Sequence, residues 1–267
     1  MPEGLRAYVA LLSGQFRSVA SHRTSFAVEL ITNLGGTVLD VATVFVLFRA
    51  TRTVGGFTLA ETILMTSLTA AGFVLADFTV GNVDRLTTYV RAGTLDAVLV
   101  RPLGVLPQLL LMDLPVRKGL RLVVGVGTLG VGIGLNDIQW TPGRVLLIVV
   151  APLAAAVFFA AIFVLSASLA FWWIDSGEVG NGFTYGGRDF TSYPITAYGG
   201  WFRAIFAYAL GFGFVAYQPA LALLGRPDPL GLPAWAGYLS PLVALLAAGI
   251  AAVVWRRGVR HYRSTGS

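Results

Sequence analysis

Apolar runs of about 20 residues, the length a helix needs to cross roughly 30 Å of hydrocarbon, recur along the chain with short polar stretches between them. In order they predict six membrane spans, at 25–48, 59–80, 118–135, 144–173, 202–224 and 235–255. Ahead of the first, Leu5, Tyr8, Val9, Leu12, Phe16 and Val19 recur at spacings of three and four, while Arg6, Ser13, Gln15 and Arg17 fall elsewhere. That spacing predicts an amphipathic helix over 2–22 lying along the membrane surface. Trp140, Trp172, Trp173, Trp201, Trp235 and Trp255 fall at or beside predicted span ends, where amphipathic indoles prefer to sit.

Composition agrees with the pattern. Of 267 residues, 56% are hydrophobic and 12% charged, with mean hydropathy +0.75; a soluble chain carries roughly a quarter charged residues. The expectation is an all-α polytopic membrane protein with a single domain, 1–267. A net charge of +6 and a pI near 10.0 fit the excess of basic residues on the cytoplasmic side of membrane proteins, so nucleic acid is not expected as a partner. Both termini are placed inside; of the 19 Lys and Arg residues, only Arg49, Arg52, Arg144 and Arg226 then fall outside. No apolar signal core precedes Ser25, so the first span is expected to direct the chain to the cell membrane.

The fourth connection, 174–198, is polar (Asp175, Glu178, Asn181, Arg188, Asp189) and is expected as a cytoplasmic loop. Its Gly and Phe content would also suit a re-entrant segment. In the third span, Gly130 and Gly134 form a GxxxG pair, a spacing that lets helix backbones approach closely.

Little catalytic chemistry is available. The single lysine, Lys118, stands in VRKGLR, so no phosphate-binding loop ending in Gly-Lys-Ser/Thr exists. There is no cysteine, and His22 and His261 stand alone at opposite ends; no catalytic residue, metal site or cofactor is assigned to this chain. Acids inside spans suggest a pathway or a pairing, because hydrocarbon penalises charge. Glu29, Asn33, Asp40 and Thr43 fall close to one face of the first span at about 100° per residue. They are a candidate substrate stripe; the alternative for Glu29 is an ion pair near the cytoplasmic boundary with an arginine or Lys118, and for Asp40 it is capping or bonding to a neighbouring helix. For Asp77 an interfacial ion pair is expected. Phe73, Phe158, Phe159, Phe163 and Phe212 are candidate lining for a cavity taking a lipophilic drug, antibiotic or lipid; Phe45 turns away from the acid stripe.

Between spans two and three, residues 82–102 form a charged, helix-prone island. Val83, Leu86 and Val90 follow helical spacing, Gly93 interrupts, Thr94 is placed to cap a new turn with Asp96 near its positive end, and Leu95, Val98 and Leu99 continue to Pro102. Two short amphipathic helices hinged at Ala92 and Gly93 are predicted. Their apolar faces need a cover, lipid or protein, and spacing alone does not choose.

The run RAGTLDAVLVRPL resembles the cytoplasmic connection of ABC type-2 exporter permeases. YPITAYGGWFRAI with VAYQPALALLG, and the ending WRRGVRHYRSTGS, are similar to segments of one subfamily, so the resemblance runs along essentially the whole chain. It implies a permease that pairs with a second one, identical or homologous, in the lipid bilayer. Separate ABC ATPase subunits would bind Mg-ATP and drive export of a small hydrophobic or amphipathic compound. It further implies that 82–102 is a coupling region docking on the ATPase through Arg85, Tyr89, Arg91, Thr94, Leu95, Asp96 and Leu99, with 2–22 as a connecting helix beside it. The competing expectation is an ion-coupled secondary transporter using Glu29, Asp40 and Asp77 as a proton relay.

Overall fold

The computed structural model describes residues 42–101, 104–112 and 119–262. The predicted amphipathic helix 2–22, and Glu29, Asn33 and Asp40 of the first span, lie outside the described residues, within which every regular element is helical.

A helix over 42–50 (α1) ends in a turn where Val54 and Phe57 exchange backbone hydrogen bonds at 3.0 Å. α2, Leu59–Val80, starts where it does because Thr58 caps it: the Thr58 hydroxyl accepts from the Glu61 amide, and the Glu61 carboxylate accepts from the Thr58 amide at 2.8 Å. This reciprocal box satisfies two amides that a helix start otherwise leaves without partners. The chain continues helically through Gly81–Arg85 into α3, Leu86–Arg91. Then come α4, Thr94–Leu99, α5, Val105–Met112, and α6, Gly119–Gly134. α7, Pro142–Ser168, is capped by Thr141 with proline in its first turn, where a missing amide hydrogen costs nothing. α8 is Gly177–Ser192, α9 is Gly200–Arg203 running into a wide π turn at Ala204–Ala209, α10 is Tyr217–Leu224 and α11 is Ser240–His261.

α2 and α7 form the centre, and glycines let them touch. A Cβ on Gly72 would collide with Ala155, and one on Gly132 with Ser67, so α7 and α6 approach α2 at backbone distance. The predicted GxxxG pair makes no such contact. Among the described residues, a Cβ on Gly130 or Gly134 would meet nothing within 4 Å, and the packing positions are instead Gly132 and Gly125, where a Cβ on the latter would lie 3.4 Å from Val74. A small-residue spacing in sequence does not say which face is turned inward.

Side-chain contacts give each helix a direction. α6 runs antiparallel to α2, since Gly125 meets Val74, Gly132 meets Ser67, and Asn136 donates to the Ala60 carbonyl at 2.8 Å. α11 runs alongside α7 in the same sense, with Ser240 beside Ala154, the Trp255 ring 5.1 Å from Phe171, and His261 stacked on Trp172. Trp255 is buried there, unlike Trp140, Trp172, Trp173, Trp201 and Trp235, which are exposed near helix ends.

The expected loop 174–198 is largely a helix. α8 lies with Gly177 against Thr87, the Tyr185 ring 5.5 Å from Phe73, and the Thr191 and Ser192 carbonyls accepting from Thr69 (2.9 Å) and Thr66 (2.8 Å). It therefore runs antiparallel along α2, from the end of the bundle that holds Arg91 to the end that holds Glu61. Against α7 its packing uses glycine and hydroxyl contacts, with Gly180 on Ser166 and Thr184 donating to the Ser166 hydroxyl at 2.9 Å, while Phe183 and Phe190 pack on Phe206 and Phe212 of the hairpin. Hydropathy is blind to glycine and hydroxyl contacts.

The predicted fifth span is not a straight helix. Its two halves, Gly200–Ala209 and Phe212–Leu224, are bent by 66°, with Gly211 at φ 85° in the break. Both ends return to one place. The Thr196 hydroxyl donates to the Gly55 carbonyl at 2.7 Å, and Arg226 donates to the Gly56 carbonyl at 3.2 Å. Residues 196–226 enter and leave at the Glu61 end, which is a re-entrant hairpin. Arg188, expected in a loop, instead sits over the Phe73 ring at 5.3 Å, and Arg203 moves to the Glu61 end, with Nη1 3.4 Å from the Tyr198 carbonyl.

Candidate functional site

The Arg91 end carries the two short helices. Gly93, at φ 67° and ψ 3°, separates α3 from α4; this left-handed geometry is open to glycine and strained for residues with a Cβ. Thr94 is the first residue of α4 rather than its cap, since Gly93 holds the cap position and no side chain bonds there. The hinge predicted at Ala92 and Gly93 is where the chain turns.

The apolar faces find their cover within the chain. Val83, Leu86, Val90, Leu95 and Val98 are all buried, Leu95 completely. α5 straps the motif: Gln108 donates to the Val98 carbonyl at 3.2 Å, and Asn82 donates to the Leu109 carbonyl at 2.9 Å. On the other side, Arg91 forms an exposed ion pair with Asp175, and such a pair between solvated groups adds little stability. The need for an external cover, inferred from spacing, is therefore met internally by α5, the Ile174–Ser176 turn and α7.

What remains outward is a different set. Arg85, Arg91 and Leu99 are exposed, Tyr89, Thr94 and Asp96 are half-buried, and Leu95 is inside. Val100, at 84% exposure, and Arg101 continue the exposed edge begun by Leu99. Sequence reading missed Val100, although it stands about 200° around the helix from Val98 at 100° per residue and so leaves the buried face. Asn82 and Gln108, which position the motif, carried no signal of their own.

The candidate path residues lie elsewhere. Thr43 is exposed on α1. Phe73, Phe158, Phe159, Phe163 and Phe212 do come together, with Phe73 5.2 Å from Phe159 and 5.4 Å from Phe163, and Phe158 5.1 Å from Phe212. All five are buried, so in this conformation they fill the space between α2, α7 and the hairpin rather than line it. Edge-to-face packing of this kind suits the ring quadrupoles. Asp77 is buried and pairs with Arg121 at 3.6 Å, the ion pair expected for it.

The Glu61 end is knit by charge. Arg226 Nη1 donates to both Glu61 carboxylate oxygens at 2.6 and 2.7 Å, and its guanidinium lies 4.4 Å over the Phe57 ring. Asp228 accepts from Tyr217 (3.0 Å), Gln218 (2.7 Å) and the Leu230 amide (2.9 Å). Arg144 of α7 donates to the Ala222 carbonyl at 3.0 Å. Tyr198, at the hairpin entry, has its hydroxyl pushed up to about 12, first by burial and then by Tyr193 and Asp189, and stays neutral. Among the described residues, no group of three or more His, Asp or Glu could hold a metal ion.

Among the described residues, three helices long and apolar enough to cross a membrane, a bent apolar pair and an all-helical bundle define a polytopic membrane protein. The model of the family described as ABC-2 family transporter protein matches residues 34–266, and the chain belongs to that family. No curated protein and no solved structure matches it. Members of the family are in general transport subunits rather than enzymes and work with ABC ATPase subunits.

Proposed function

We propose that this chain is the membrane-spanning subunit of an ATP-driven exporter in the cell membrane, with both termini cytoplasmic. Mg-ATP is bound and hydrolysed by separate ATPase subunits, and a second permease, identical or homologous, completes the transporter. The chain crosses the bilayer six times: the first span, α2, α6, α7, α8 and α11. α8 takes the place of the 202–224 segment, which is re-entrant from outside. The cargo is a hydrophobic or amphipathic compound.

The observation that carries this reading is the α3–Gly93–α4 unit. It is braced from within by Leu86, Val90, Leu95 and Val98 and ends in an exposed Leu99–Val100–Arg101 edge. A loop that only connects two spans has no use for a buried face on one side and an apolar edge on the other. Docking of an ATPase subunit on that edge gives the brace a purpose, because movement of the partner is then passed to α2 rather than absorbed.

The test is copurification in mild detergent followed by ATP-dependent transport in vesicles. Recovery of an ATPase subunit with the wild-type chain, and its loss with Val100→Asp, is expected. Failure to recover any ATPase, together with transport insensitive to ATP depletion, would overturn the proposal in favour of an ion-coupled carrier.

A further inference from the structure

α11 is long and apolar enough to cross a membrane, and its two sides are unlike. Inward, Trp255 packs on Phe171 with ring centroids 5.1 Å apart, and Gly258 lies so close that a Cβ there would collide with the same ring. Outward, Leu242, Leu246, Ile250 and Val253 are exposed, and so are Arg256, Arg257 and Arg260. At 100° per residue, Arg257 and Arg260 fall within about 40° of Val253 and roughly opposite Trp255 and Gly258. One outward stripe is therefore apolar for about three turns and cationic at its end.

No described residue answers that charge. Among the described residues, Arg256, Arg257 and Arg260 make no ion pair. Arg260 stands four residues from Arg256 and three from Arg257, spacings at which like charges repel. The helix dipole favours Arg260 and His261 in the last turn, but its effect fades before Arg256 and Arg257. Ahead of α1, over 1–41, the acids Glu3, Glu29 and Asp40 are balanced by Arg6, Arg17 and Arg23, so that stretch has no surplus negative charge to offer. A second copy on this face would set arginine against arginine. His261 stacks on Trp172 with centroids 5.8 Å apart, and Trp172 and Trp173 are exposed; indoles of this kind mark the headgroup level of a bilayer.

We infer that Arg256, Arg257 and Arg260 form a binding site for the phosphate of an anionic phospholipid whose acyl chain lies along Leu246, Ile250 and Val253. Ile250 and Arg257 are about 10 Å apart along the axis at 1.5 Å per residue. A lipid lying against the helix thus brings its phosphate to the arginines while its chain stays in hydrocarbon. The long arginine stems reach from the apolar stripe to the headgroup level, and each guanidinium presents a fork of N–H donors that matches phosphate oxygens. The inference needs α11 to span the membrane and is independent of what the protein transports.

The full chain in a neutral detergent would be titrated with a fluorescent phosphatidylglycerol and with a phosphatidylcholine of the same chains and label, binding being read by anisotropy. Wild type is expected to hold the anionic lipid at least about tenfold more tightly, since each basic residue near the headgroups contributes a factor of about five. Arg257→Gln/Arg260→Gln should lose most of that preference. Arg49→Gln/Arg52→Gln, an equal loss of exposed charge at the Glu61 end, should keep it. Equal affinity of wild type for the two lipids would overturn the inference, as would a preference that survives undiminished in Arg257→Gln/Arg260→Gln. Displacement of the lipid by millimolar inorganic phosphate would also overturn it, in favour of a site for a free anion. Both arginines are exposed, so replacing them removes no packing, and the wild-type comparison needs no variant, so misfolding cannot hide a negative result. No arm uses an ATPase, which keeps failure here separate from failure of the copurification test.

Discussion

Arg226 reaches across 165 residues of sequence to place one nitrogen between both carboxylate oxygens of Glu61, at 2.6 and 2.7 Å. Glu61 is at the same time the residue that closes the capping box of α2. One carboxylate thus starts a helix and anchors the exit of the re-entrant hairpin. The pair is partly shielded from water, so it is worth more than an exposed surface pair and less than a fully buried one. Arg226→Gln and Glu61→Gln should each lower the detergent melting temperature. A double-mutant cycle should return a coupling of on the order of 1 kcal/mol, and a coupling indistinguishable from zero would mean that the hairpin is held by other contacts.

The hairpin geometry makes a topological prediction. Ala197→Cys and Pro229→Cys, both exposed, flank residues 200–224 and should react with an impermeant thiol reagent added from the same side of intact cells. Labelling from opposite sides would show that the segment crosses the membrane.

For the proposed docking edge, two substitutions separate docking from folding. Leu95 is fully buried, so Leu95→Arg inserts a charge into the brace and should reduce the amount of folded chain by itself. Val100→Asp changes a side chain with almost no internal contact, and should leave yield and melting temperature unchanged while abolishing ATPase copurification. If Val100→Asp copurifies normally, the docking surface lies elsewhere.

At Gly93 the left-handed backbone forbids an easy replacement. Gly93→Val should destabilise the local turn by about 1–2 kcal/mol, the penalty for a side chain in that conformation. The fall in ATP-driven transport should be larger than the fall in yield, since α4 would be re-aimed. Equal losses of transport and yield would reduce Gly93 to a folding residue.

Close helix approach gives a contrast within one motif. Gly72→Leu and Gly132→Leu would drive a side chain into Ala155 or Ser67, with overpacking of about 1–3 kcal/mol or more. Gly130→Leu meets open space and should melt like the wild type. Comparable melting temperatures for all three would contradict the packing described here.

Sequence periodicity was most informative where apolar side chains do the packing. The bounds of α2 and the hinge at Gly93 were legible because Leu, Val and Phe recur there and glycine breaks the recurrence. α8 was hidden because GEVGNGFTYGGRDFTS meets α2 and α7 largely through Gly180, Thr184 and Thr191, whose contacts depend on closeness and hydroxyl bonding, and its three rings, Phe183, Tyr185 and Phe190, are too few to raise its hydropathy. The GxxxG pair misled for the related reason that glycine spacing is visible in sequence and facing is not. The aromatic residues were grouped correctly as neighbours, yet whether rings line a space or fill it is decided by the distance between helices. For the coupling island, spacing identified an apolar face but could not see that α5 folds back over it.

From Leu59 to Arg91 the backbone is helical without interruption for 33 residues, about 50 Å at 1.5 Å per residue. One tip of that rod bears Gly93 and the exposed edge beyond it. The other adjoins Gly55 and Gly56, whose carbonyls hold the entry and exit of the hairpin. Under the proposed function, a twist applied at the first tip would be delivered to both feet of the hairpin at once, in phase. On that reading the hairpin would need no hinge or timing device of its own: it would turn as a crank arm turns, whenever its shaft does.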